Sequence, residues 1–139
     1  MMILNLRFVV GVGAGCLTAV TIALAATFVA RILWPEYAAA EPEKSYTLLM
    51  LFTRLIVGAL STAGAACVAT TITTGNRNVA WWLGGLFLAI SLPDHLYYVW
   101  NDYPAWYHLV YLVYLVPVAG LTGQVVHRRI ANKSAPKSC

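Results

Sequence analysis

Charge is scarce in this chain. Only 10% of its 139 residues are Asp, Glu, Lys or Arg, where a soluble domain carries roughly a quarter. With 60% hydrophobic residues and a mean hydropathy of +0.72, that shortage excludes an ordinary soluble fold. Long polar segments are missing as well. The longest connection, residues 35–45 (PEYAAAEPEKS), has no room for an extramembranous catalytic module, so any chemistry is expected to use helix side chains or short loops. Cysteine is thin, with three residues and no Cys-x-x-Cys pair, which leaves a thiol oxidoreductase without its two exchange-competent thiols. Cys16 and Cys67 read as small packing residues. The serines and threonines show no nucleophile elbow or triad spacing, so covalent catalysis has no support either.

What remains is four apolar stretches, at 8–34, 46–73, 79–99 and 105–126. Each is long enough to cross a hydrocarbon core, which takes about 20 helical residues. The expectation is one all-α domain over 1–139: a polytopic membrane protein of four transmembrane helices in an antiparallel bundle, with a basic tail at 127–139. The apolar run from Phe8 to Ala30 is longer than the roughly 7–15 residues of a signal-peptide core, so it is expected to be a retained helix. Gly13-Ala14-Gly15-Cys16 lacks the leucine-like residue of a lipoprotein box.

Orientation follows from the basic residues. Arg7, Arg77, Arg128, Arg129, Lys133 and Lys137 fall on one side, whereas the other carries Glu36, Glu41, Glu43 and Asp102 against Lys44. Membrane insertion holds Lys and Arg on the cytoplasmic side, which predicts both termini cytoplasmic and a multi-pass protein of the cytoplasmic (inner) membrane. Trp34, Trp100 and Trp106 then fall at the outer interface and Trp81 and Trp82 at the inner one, where amphipathic rings settle. The basic balance is therefore read as topology and contact with anionic lipid headgroups, not as nucleic-acid binding.

Small residues mark packing faces. Gly11, Gly15, Ala19 and Ala23 recur every four residues in the first span, and Gly58, Ser61, Ala65 and Ala69 form a matching face in the second. Close backbone approach supplies van der Waals contact where lipid gives no hydrophobic drive. The two faces are expected to pair within the chain; a homo-oligomer or a larger membrane complex is the alternative use.

Ionisable residues inside the spans are Arg31, Arg54, Asp94, His95 and His108, all toward the outer face in this topology. Such groups are costly in lipid and mark sites. Arg31 lies close enough to the interface to snorkel as a headgroup anchor. Arg54 sits about eight residues into its span, roughly 12 Å at 1.5 Å per residue, and needs a partner, either Asp94 or tyrosines. Pro93 frees a carbonyl one turn back, near Ala89, and predicts a kink beside an aqueous cavity. If the Asn101–Asp102 turn is the midpoint of a symmetric hairpin, His95 and His108 lie level and can meet. Tyr107, Tyr111 and Tyr114 recur at helical spacing with Tyr97, Tyr98 and Tyr103 nearby, a deep column of phenols that needs hydrogen-bond partners.

The expected ligand-binding set is therefore Arg54, Asp94, His95, His108, Tyr98, Tyr111 and Tyr114. Three readings compete for it. In the first, which is placed ahead, the site is non-enzymatic: Arg54 pairs with Asp94, the histidines join the network, and the cavity binds a ligand or partner or passes a small solute or proton. In the second, Asp94 and His95 are the catalytic acid and base of a membrane-embedded enzyme acting on a lipid-like or amphipathic substrate. In the third, His95 and His108, with Asp94, ligate a transition metal. No cofactor is required by the sequence. Small multidrug transporters share the four-helix size but embed a Glu in their first helix, and the tryptophan-rich sensory proteins of the translocator family have five spans and a Trp-x-Pro-Pro segment; this sequence has neither feature.

Overall fold

The computed structural model describes residues 6–134. Lys137 of the basic set lies outside the described residues. The chain is all-helical: α1 (Leu6–Leu33), α2 (Pro35–Ala40), α3 (Leu48–Ile72), α4 (Asn78–Pro93), a π-helical turn (Asp94–Tyr98) continuing α4, and α5 (Ala105–Ser134). Four helices are long and apolar enough to cross a membrane: α1, α3, α4 with its π turn, and α5. The last runs through Ser134, so the described part of the expected basic tail is helical.

Large apolar side chains such as Leu17, Leu24, Ile56, Ile90 and Val113 face outward, while Ala65, Ala69, Val79 and Leu83 are buried between helices. That is the distribution a lipid-facing protein requires, because a helix gains nothing by hiding leucine from hydrocarbon and gains contact by hiding alanine and glycine. Several hydroxyls of the spans bond back to their own helices, although that of Thr70 is buried without a partner. Thr18 donates to the Ala14 carbonyl (2.8 Å), Ser61 to that of Val57 (2.7 Å) and Thr62 to that of Gly58 (2.9 Å). These groups are thereby withdrawn from chemistry.

The small face of α1 packs on α3 as its spacing predicts. A side-chain carbon at Gly15 would stand 3.0 Å from the Ala65 carbonyl oxygen and 3.3 Å from Ala69 Cβ. Gly58 departs from the expected pairing, since it receives Tyr111 and Tyr114 of α5. On the other side, Gly84 of α4 and Gly120 and Gly123 of α5 bring those helices together, with Gly120 under the Trp81 indole and Gly123 against Ala80.

At the end of the molecule that carries α2, three connecting features interlock. Arg31 bonds Glu41 (2.6 Å), Lys44 pairs with Asp102 of the α4–α5 connection, and Tyr46 stacks on Tyr103 with ring centroids 5.7 Å apart. Arg31 is therefore an ion-pair partner of the 35–45 segment. The hydrogen bond from Lys44 to Asp102 holds the ammonium pKa above its usual value. That segment, expected as a plain connection, contains a helix begun by Pro35, whose fixed φ suits a first turn. Its Tyr37 is buried against Ala40 and Met50. Thr47 then caps α3, its hydroxyl accepting from the Met50 amide at 3.4 Å.

Candidate functional site

Arg54 is placed by α3, one turn before Gly58. Its Nη1 donates to the phenol oxygens of Tyr37 (3.1 Å) and Tyr46 (3.2 Å). The guanidinium carbon stands 4.9 Å from the Tyr46 ring centroid and 5.5 Å from that of Tyr103, within cation–π range. Nε is buried without a hydrogen-bond partner. Among the described residues the only ion pairs are Arg31–Glu41 and Lys44–Asp102, so the expected Arg54–Asp94 pair is not formed. The physical reason is the segment at 35–47, whose two tyrosines reach the guanidinium. Phenols are neutral, and they solvate the cation without balancing it.

Asp94 and His95 belong to the π turn that follows Pro93. Proline cannot supply the amide that a regular helix would use here, and the chain widens by one residue, Val99 donating to the Asp94 carbonyl at 3.1 Å. Asp94 is exposed and borders the same cleft as Arg54. His95 is buried, its ring stacked on Tyr111 at 4.4 Å between centroids.

Behind it lies His108 of α5, with no exposed surface. The two Nδ1 atoms are 2.8 Å apart, and His108 Nε2 lies 3.3 Å from the Trp100 carbonyl oxygen. The level histidines of the hairpin do meet, and the contact between them is a hydrogen bond. Among the described residues, no three His, Cys, Asp or Glu side chains gather as a group that could hold a metal ion. A shared metal would need the two nitrogens further apart, since each imidazole bond is about 2.0–2.1 Å and tetrahedral angles open the pair.

Of the tyrosines, Tyr111 lines the cleft beside His95. Tyr114 donates to the Leu55 carbonyl at 3.1 Å and packs over Gly58, which makes it a link between α3 and α5. Tyr98 is 81% exposed and does not border the cleft. His108 supports the site from behind. Tyr37, Glu41, Gly58 and Tyr107 border it as well and were not singled out for it by the sequence reading.

The cleft has a volume of about 340 Å³ and is walled by α1, α2, α3, the π turn and α5. A second cavity of about 200 Å³ lies against it, with Ala23, Gly58 and Tyr111 as common walls. Its other walls are chiefly apolar: Val20, Phe87, Ile90 and Leu115, with Ser61 and Thr62 turned onto their own helix. A charged chamber thus adjoins an apolar one. The chain matches no family model, no curated protein and no solved structure.

Proposed function

We propose that this is a multi-pass protein of the cytoplasmic membrane, an antiparallel four-helix bundle with both termini cytoplasmic, that binds one phosphate-bearing amphipathic ligand in its outer half. The headgroup occupies the charged chamber and an apolar chain the adjoining one. The observation that carries this reading is Arg54. A guanidinium has five N–H donors in a planar fork suited to phosphate, and here the neighbours are phenols, Nε is unpartnered, and no carboxylate lies within ion-pair distance. Such a cation within an apolar helix is costly unless an anion accompanies it. The common walls at Ala23, Gly58 and Tyr111 support a ligand that spans both environments.

The test uses delipidated protein in detergent. A phospholipid is expected to raise its thermal stability, while diacylglycerol with the same chains and inorganic phosphate alone are not. Equal stabilisation by diacylglycerol, or none by phospholipid, overturns the reading. The hydrogen-bonded His95–His108 pair supports a second reading, in which Asp94 and His95 act as acid and base on the bound headgroup. Conversion of added lipid by wild-type protein but not by Asp94→Asn would favour it.

A further inference from the structure

The histidine pair has a direction. A backbone carbonyl can only accept, so the contact between His108 Nε2 and the Trp100 oxygen requires the proton of His108 to sit on Nε2. His108 is fully buried with no carboxylate in ion-pair distance, and a second proton on it would leave an unpaired charge away from water. Its Nδ1 is therefore bare and accepts. The partner at 2.8 Å, His95 Nδ1, must then be the donor. With its single neutral-state proton committed there, His95 carries a bare Nε2, on the part of the ring away from His108. His95 borders the charged chamber and His108 does not. The chain of bonds from Trp100 through His108 thus fixes one tautomer of His95, as a second hydrogen bond fixes the tautomer of a catalytic or metal-bound imidazole.

Asp94 borders the same chamber and has no cation within ion-pair distance among the described residues. An ionised carboxylate also only accepts. The chamber therefore offers forked donors at Arg54 and acceptors at Asp94 and His95. Resting on the phosphate reading above, we infer that the ligand is a phospholipid whose headgroup bears a hydrogen-bond donor, an ammonium or hydroxyl, beyond the phosphate. Phosphate meets Arg54, and the headgroup donor meets His95 Nε2 and Asp94. His108 is a positioning residue. A headgroup without a donor leaves Nε2 on the buried His95 ring without a partner, which costs affinity.

Phosphatidylethanolamine and phosphatidylcholine separate the possibilities, since both are zwitterions but only the first has N–H donors. Wild-type protein is expected to bind phosphatidylethanolamine about tenfold more tightly, read by native mass spectrometry of lipid retained in detergent, the scale set by one unsatisfied acceptor. Soluble phosphoethanolamine is expected not to compete, because it leaves the apolar chamber empty. Competition at concentrations matching the lipid would overturn the assignment to a membrane lipid. Nitrogen-15 NMR of histidine-labelled wild-type protein is expected to show His95 protonated on Nδ1 and His108 on Nε2. In His108→Phe the preference for the ethanolamine headgroup should vanish. In His108→Gln, whose amide can accept from His95 and donate to Trp100, it should return. Equal affinity for the two lipids with both lost in Arg54→Gln would refute this inference and leave the phosphate reading standing; binding of neither lipid would end both. The opposite His95 tautomer would refute the inference even if the variants fail to fold.

Discussion

Replacing Arg54 by glutamine separates a binding role from a scaffolding one, because the two predict opposite patterns. In the unliganded protein the substitution removes two hydrogen bonds, to Tyr37 and Tyr46, and two ring contacts, to Tyr46 and Tyr103. Each hydrogen bond from the charged guanidinium is worth about 1.5–3 kcal/mol and each ring contact about 0.5–1 kcal/mol. Against that loss, the variant no longer holds a charge out of water, a term of several kcal/mol with the opposite sign. The contributions offset, and unliganded stability should change by no more than about 1 kcal/mol, or roughly 4 °C in melting temperature. Binding has no such offset. The phosphate loses charge-assisted hydrogen bonds whose net value is about 2–3 kcal/mol, which corresponds to a roughly 30- to 150-fold weaker affinity. The assay is a phospholipid titration of delipidated wild-type and Arg54→Gln protein, read by native mass spectrometry, with melting temperatures measured alongside. A variant that melts far below wild type yet binds phospholipid undiminished would refute the reasoning and make Arg54 a strut between α2 and α3.

The close helix contacts make a graded series. Gly123→Ala drives a methyl into Ala80 Cβ, which is fixed to backbone, and should cost about 1–3 kcal/mol in thermal unfolding, whereas Gly85→Ala meets open space and should be neutral or stabilising by up to about 1 kcal/mol. Tyr114→Phe deletes the bond to the Leu55 carbonyl and should destabilise by about 0.5–1.5 kcal/mol without altering phospholipid affinity. The Lys44–Asp102 pair gives a pH dependence. Because the pair raises the folded pKa of Lys44, its contribution is complete below the unfolded lysine value near pH 10.4 and fades as pH rises through the higher folded value. Melting temperatures compared between pH 9 and 11.5 should converge for wild type and Lys44→Met at the alkaline end, and high salt should narrow the gap throughout.

The four apolar helices were legible in the sequence because a membrane span announces itself by length and composition, and those signals need no knowledge of packing. The meeting of His95 and His108 was legible too, since a short turn at Asn101–Asp102 fixes the register of its flanking helices. The company of Arg54 was legible only in kind. Tyr37 and Tyr46 lie in a polar connection, and a six-residue helix is too short to show periodicity, so nothing marked Tyr37 as buried. Pro93 signalled a disturbance without specifying a π turn, and the outward direction of Tyr98 depends on that turn. Gly58 fitted the small face of α3 by spacing, yet spacing could not say that the neighbour filling it would be the Tyr111–Tyr114 pair of α5.

Photo-crosslinking with two phospholipid probes, one carrying a diazirine in the headgroup and one in the acyl chain, tests the two-chamber site most directly. Headgroup adducts should map to residues around Arg54, His95 and Tyr107, and chain adducts to those around Val20, Phe87 and Ile90, with both suppressed by excess unlabelled phospholipid. Adducts from both probes scattered over the outward faces of α1 and α5, and not suppressed by competitor, would contradict it.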